Sequence, residues 1–414
     1  MGSWGTGHFR RKATRAALLL GVGSAWVLAG LLLWRTTVPG DLRRPHVDAQ
    51  RYWSSSVLHR AARFDGFLRW EWVIATLVEL LALLALVRLG PRIARAFELG
   101  RIGTGVMVGA VTTLALWLVG LPFGLVTLWW GRRYGIEKES YLDWLLGLWP
   151  GALGKVVGLT IVLTLLLVLA GRFRRRWWLV AGPLFVAVAA LLAFLLPYVQ
   201  TIGTHGLSRP RLAAAVGALA QREGVSGTPV RVEKVSDTTS AVNAESIGIG
   251  RSARVVIWDT FLAPRFTAGE IEVVAAHELG HAARRHILKG LAWSALITIP
   301  GFFVLAVATG RRGGMARPEV VPFALLVIGL LNLGVTPFTN VISRRYEGEA
   351  DWRALQTTHD PASAARLFRD FGSVDLQQPD PPGWSYVWID DHPTLVQRIA
   401  MVRAWARLHG SSGG

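Results

Sequence analysis

His277 and His281 lie four residues apart, with Glu278 directly after the first, in the stretch AAHELGHAARRH at residues 275–286. On a helix, imidazoles at i and i+4 leave the same face one turn apart, so they can share one zinc ion. Glu278 can then reach a water on that metal, where a carboxylate takes the proton as the water attacks a carbonyl. The competing reading is a buried helix with two satisfied core histidines. Ala275, Ala276, Leu279, Gly280, Ala282 and Ala283 are uncharged and mostly small, as a buried helix carrying two ligands requires. Thr267-Ala268-Gly269-Glu270 reads as a capping box, which starts the helix about two to three turns before the histidines. Arg284 and Arg285 stand near its C-terminal end, where positive charge suits the helix dipole.

A catalytic zinc takes three protein ligands and leaves one position open. The best source of the third is Ser343-Arg344-Arg345-Tyr346-Glu347-Gly348-Glu349-Ala350-Asp351. Glu347 and Asp351 share a helix face; Glu347 would bind the metal, and Asp351 would accept the ring N–H of a zinc histidine. Glu349 points about 160° away on an ideal helix and is the less suited ligand. The alternative is a solvated face whose acids pair with Arg344, Arg345 and Arg353. Farther on, Asp390-Asp391-His392-Pro393 sets His392 in a constrained turn. Either it donates to the oxyanion that forms during attack on a peptide, or it is only part of the turn. His8, His46, His59, His205, His286, His359 and His409 have no partner pattern and read as structural or surface residues. His286, five residues after His281, leaves the ligand face.

These groups must be positioned by a chain with the composition of a membrane protein. It has 414 residues, 52% hydrophobic and only 17% charged, and a mean hydropathy of +0.38. The 19 tryptophans suit two interfacial belts. The net charge of +18 is carried by arginines at the ends of apolar runs, which marks topology and headgroup contact and argues against a nucleic-acid partner. Without cysteine, disulfides, thiolate ligands and cysteine nucleophiles are excluded.

Seven apolar runs are expected to span, at residues 16–34, 70–89, 104–130, 153–170, 177–199, 287–309 and 320–342. The first competes with a signal peptide, but its length favours a retained span. Glu79, within the second, either faces an interior space or snorkels to an interface. Pro122 should kink the third span and Pro337 break the seventh. Residues 35–69 and 131–152 read as loops. The chain thus divides into a polar tail (1–15), spans one to five (16–200), a catalytic segment (201–286), spans six and seven (287–342) and a C-terminal catalytic segment (343–414). The first catalytic segment holds an amphipathic helix at 209–222 closed by Gly224, then strands at 229–235, 242–249 and 254–258, then the metal helix. An extended substrate could add a strand to such a sheet. The last segment reads as helical, with a Pro-rich loop at 379–383.

With H-E-L-G-H before the sixth span, S-R-x-x-E-x-x-A-D after the seventh, a late H-P-x-L, Asn243-Ala244 and Asp259-Thr260, the chain resembles the type-I CAAX prenyl endopeptidases. These are integral-membrane zinc metallopeptidases related to the bacterial heat-shock membrane peptidases. The resemblance implies a mainly α membrane protein. Seven transmembrane helices would form a barrel around a large chamber, with a small α+β gluzincin-like zinc peptidase domain. It assigns one zinc per chain to His277, His281 and Glu347, the general base to Glu278 and transition-state stabilisation to His392. It sets Asn243 and Ala244 along the substrate cleft. A peptide or membrane-protein substrate and the lipid bilayer are the implied partners, with no obligate protein partner. The chain departs from the family at Glu245 and Gly348, where an aromatic is usual, and at Thr394, where a second proline is usual. Prenylated C-terminal peptides are therefore not carried over as the substrate.

The resemblance places the catalytic domain in the cytoplasm, and that placement is adopted. The positive-inside rule argues the reverse, because the arginine-dense stretches 1–15, 88–103, 172–176 and 310–318 would then lie outside. A membrane scaffold that keeps zinc and cleaves nothing is the alternative function, and a transporter a third. Intact Glu278 argues against the scaffold, since a structural zinc site has no need of that carboxylate.

Overall fold

Backbone N–H and C=O groups in lipid have no water to bond, so apolar runs must close their hydrogen bonds within helices. In the computed structural model, which describes residues 20–410, six helices are long and apolar enough to cross a membrane. They are α2 (Ser55–Arg95), α3 (Gly100–Tyr134), α4 (Tyr141–Phe173), α5 (Trp178–Gln200), α8 (His286–Gly310) and α9 (Val321–Thr358). A further apolar helix, α1 (Leu20–Leu33), is shorter. The expected first span begins at residue 16; residues 16–19 and the tail 1–15 lie outside the described residues.

The helices outrun the apolar stretches that announce them. Ser54 caps α2 by accepting from the Val57 N–H, so residues 55–69 are helix and not the expected loop. Ser140 caps α4 in the same way through the Asp143 N–H, which makes all of 141–152 helical as well. Hydropathy marks only the part of a helix that meets lipid; caps set where it starts. Pro337 does not break α9, which continues as one helix out of the apolar region to Thr358.

The spans close into a ring. α2 packs on α3, α3 on α4, α4 on α5, α5 on α8, α8 on α9, and α9 returns to α2. On α2 the exposed stripe is Trp70, Ile74, Leu77, Leu81 and Leu84, while Leu83, Leu86 and Gly90 on the other side are buried. Glu79 shares the face of Leu83, Leu86 and Gly90 by helical spacing, yet is itself exposed. Helical spacing thus sets it on the side of α2 away from the exposed apolar stripe.

The polar segments build the second layer. Strands β1 (His205–Gly206), β2 (Val230–Glu233), β3 (Ala244–Ile247) and β4 (Arg254–Trp258) form one sheet in the order β1-β2-β4-β3. β2 runs parallel to β4, and β3 lies antiparallel at the edge with Ala244 opposite Ile257. β1 had no sequence signal, and β3 is shorter than expected because pairing with β4 ends at Ile247. Helices α6 (Pro210–Arg222), α7 (Ala268–Ala283), α10 (Pro361–Val374) and α12 (Leu395–Leu408) share one apolar core with the sheet. A short helix, α11 (Gly383–Trp388), follows the Pro-rich loop.

Candidate active site

α7 is fixed at its start by a reciprocal cap. The Thr267 N–H donates to Glu270 Oε2 at 2.7 Å, and the Glu270 N–H donates to Thr267 Oγ1 at 3.3 Å. Its small residues let it cross α9 closely. A Cβ placed on Gly280 would lie 3.3 Å from Arg353 Cβ and 3.7 Å from Ala350 Cα. That approach brings three expected ligands together. His277 Nε2 and His281 Nε2 are 3.1 Å apart; Glu347 Oε2 is 3.2 Å from the first, and Glu347 Oε1 is 3.5 Å from the second. Two ligands bound tetrahedrally to zinc at their usual bond lengths are about 3.3 Å apart, so the trio has the right span for that ion. All three donor atoms fall within 4.8 Å of one another.

Asp351 is buried beside the trio, its Oδ1 2.9 Å from His277 Nδ1. Arg398, on α12, holds the same carboxylate with two donors, Nε to Oδ2 at 2.9 Å and Nη2 to Oδ1 at 2.6 Å. Burial disfavours the His277 cation, but its bonds to Asp351 and Glu347 outweigh this and carry the imidazole up to about 9. A metal and a proton therefore compete for this ring.

His392 reaches the same centre from the C-terminal segment. Its Nε2 is 3.2 Å from Glu347 Oε2, and its Nδ1 is 2.7 Å from Asp391 Oδ1. Burial opposes its charge, but Asp391 and Glu347 push it up to about 10. Two residues of α9 hold the chain that leads to it. Arg344 Nη1 donates to the Tyr386 carbonyl at 2.7 Å and to that of Asp390, and Asn340 Nδ2 donates to the Val387 carbonyl at 3.2 Å. Glu278 is buried, and it lines one cleft with Asn243, Ala244, Phe371, His277 and His392. Asn243 and Ala244 enter the edge strand β3, so the free edge of the sheet runs past the histidines. Asp259 serves the turn: its carboxylate accepts from the Val235 N–H, the Ser236 N–H and the Ser236 hydroxyl.

His286, read from the sequence as structural or surface, is buried and structural. Arg285 adopts φ 55°, which ends α7 and restarts the chain as α8, and the turn folds His286 back until its Nδ1 is 3.0 Å from His281 Nδ1. Glu349 does not ligate at the centre, as expected, but neither is it solvated: it is fully buried, with Oε2 3.0 Å from His286 Nε2. The alternative ion pairs do not form. Arg353 binds Glu223, Arg345 donates to the Trp34 carbonyl, and Arg344 serves the loop described above. A left-handed arginine leaves no mark in the sequence, so periodicity alone carried His286 off the ligand face.

Residues 207–406 match the family model Peptidase family M48. Over that stretch, just under half of its length, the chain resembles peptidase family M48. The uncharacterized metalloprotease YhfN of Bacillus subtilis is 29% identical over 314 residues, 70% of this chain and 72% of that one. CAAX prenyl protease 1 of Saccharomyces cerevisiae is 26% identical over 254 residues, 54% of each chain, so only about half of that relative is spanned. The fold matches the crystal structure of S. mikatae Ste24p with a TM-score of 0.76, over 92% of this chain and 96% of that one, at 18% identity. With six helices long and apolar enough to cross a membrane, the chain is a multi-pass membrane metalloprotease similar to the CAAX prenyl proteases.

Proposed function

We propose that His277, His281 and Glu347 hold one zinc ion per chain and that Glu278 is the general base of an endopeptidase. The observation that carries this reading is the convergence of three donor atoms where α7 crosses α9, with Glu278 in the adjoining cleft. When bound, zinc would polarise a scissile carbonyl and acidify the attacking water. Glu278 takes the proton of that water and returns it to the leaving amine. His392, held by Asp391, donates to the oxyanion. Asp351 accepts the Nδ1 proton of His277, which leaves the Nε2 lone pair for the metal. The substrate is a peptide or a segment of a membrane protein, laid along β3 with Asn243 and Ala244 beneath it. The segments 201–286 and 343–414 act as one catalytic unit.

Prenylated peptides are not part of this reading. Glu245, whose carboxyl is pushed up by partial burial and by the neighbouring acids Glu233 and Glu278, stands on β3 where the family has an aromatic. A silent zinc scaffold would leave Glu278 without a use. The test is metal content and hydrolysis of a peptide library by purified wild type and Glu278→Gln. Metal in both, with cleavage by wild type alone, is expected; hydrolysis that survives Glu278→Gln sinks the proposal.

The catalytic unit is placed in the cytoplasm, a reading that rests on the family resemblance. The opposite reading is favoured by one observation: the ends of α2, α4 and α8 far from the catalytic unit carry Arg92, Arg95, Arg172, Arg174, Arg175, Arg176, Arg311 and Arg312. Labelling of single cysteines at Ser226 and Gly313 in intact cells and inverted vesicles decides. Modification of Ser226→Cys from outside intact cells would reverse the placement.

A further inference from the structure

His281 has two ring nitrogens with different tasks. Its Nε2 meets His277 and Glu347, and its Nδ1 lies 3.0 Å from His286 Nδ1. His286 in turn sets its Nε2 3.0 Å from Glu349 Oε2. If Nε2 of His281 is a metal ligand, as proposed above, the hydrogens can be arranged in one way. A neutral imidazole that gives its Nε2 lone pair to a metal bears its proton on Nδ1. That proton must be donated to His286 Nδ1, which must therefore be bare. The proton of His286 is then on Nε2, and the Glu349 carboxylate accepts it.

We propose that His286, held by Glu349, is a positioning residue that locks His281 in its metal-binding tautomer and ring orientation, and that the chain leaving α1 holds this relay in place. The His286 ring is clamped by Tyr346, stacked on it at 4.7 Å between centroids and 11° between planes. The Tyr346 hydroxyl donates to the Leu33 carbonyl at 2.7 Å and accepts from Trp293 Nε1 at 3.0 Å. Glu349 Oε1 accepts from the Thr37 N–H at 2.9 Å, the Thr37 hydroxyl at 3.0 Å and Arg284 Nε at 2.8 Å. Residues 33–37 thus hold Glu349 directly and His286 through the tyrosine stacked on it. No ligand or base of the proposed mechanism comes from this part of the chain, so its contact with the centre runs through Tyr346 and Glu349. The arrangement repeats, with one more ring, what Asp351 does for His277. Outer partners of this kind change metal affinity about 10- to 100-fold.

The experiment uses the full-length protein in detergent, with zinc affinity measured by competition against a chromophoric chelator and the visible spectrum of the cobalt-loaded protein as a readout of ligand geometry. His286→Leu should weaken zinc binding about 10- to 100-fold and alter the cobalt spectrum. His286→Gln should stay within about threefold of wild type, because its amide oxygen accepts from His281 and its NH2 donates to Glu349. Thr37→Val, which touches no metal ligand, should weaken binding by about three- to tenfold and serves if His286→Leu fails to fold. Wild-type affinity and spectrum in His286→Leu, or equal losses in His286→Leu and His286→Gln, would overturn the relay. The reading of His281 is judged separately: a wild type that binds no zinc, or a His281→Ala variant that binds it as tightly, overturns that reading and the relay with it.

Discussion

Asp375 stands in the wall of the cleft, its Oδ1 accepting from the Val242 N–H at 3.0 Å, and burial pushes its carboxyl up to about 7. The native state therefore holds this proton more tightly than the unfolded chain, where the group titrates near 3.8. Stability linked to it is fully present below the unfolded value and is lost as pH rises through about 7. Asp375→Asn keeps the acceptor and removes the charge, so it should melt several degrees above wild type at pH 8 and converge with it at pH 4. Equal melting temperatures at pH 8 would refute the assignment. At this scale the sequence was most informative where chemistry is local. The i, i+4 pair, its glutamate and the capping box occupy one helix, and their spacing is set by the helix itself. Arg398, His286 and Glu349 were not legible as partners of the site. Arg398 arrives from α12, and the other two meet only because the chain turns at Arg285.

α9 is the element that connects membrane and chemistry. Asn340, Arg344, Glu347 and Asp351 follow at intervals of four, three and four, so they share one face. The first two hold the loop before His392, and the last two face the histidines of α7. Tyr346 and Glu349, three residues apart, address the exit of α1 instead. All this depends on α7 and α9 crossing within reach of small side chains. Gly280→Val would force branched methyls against Arg353 and Ala350, an overpacking that costs about 1–3 kcal/mol. It should lower both the melting temperature and the zinc affinity, while Gly290→Ala, at a glycine with open space around it, should change neither. Unchanged zinc affinity in Gly280→Val would mean that the crossing does not set the ligand geometry. The length of α9 was not legible, because its membrane part is announced by hydropathy and its continuation past Pro337 rests on packing against α7, α11 and α12.

At the scale of the whole molecule, the catalytic unit is assembled from chain segments far apart. Trp53, just before α2, donates its indole N–H to the Arg369 carbonyl at 2.8 Å, and its ring joins the core shared by the sheet, α7, α10 and α12. A metal at the centre would tie α7 to α9 and so stabilise the native state in proportion to its binding. Removing it with a chelator should abolish hydrolysis and lower the melting temperature, with about 3 kcal/mol at stake when free zinc stands near a hundred times its dissociation constant. Zinc should restore both; hydrolysis that persists after complete removal would exclude the metal from the reaction. The sequence by itself determined the membrane class, the apolar spans, the metal helix and the acidic stretch that supplies Glu347. Each of these is a periodic or compositional pattern within a single element, and hydrophobic burial or helix geometry translates it directly. Only the tertiary structure decided that the spans close into a ring and that His286 turns back onto His281. Those outcomes depend on contacts between elements remote in sequence and on a single backbone conformation at Arg285, neither of which local spacing encodes.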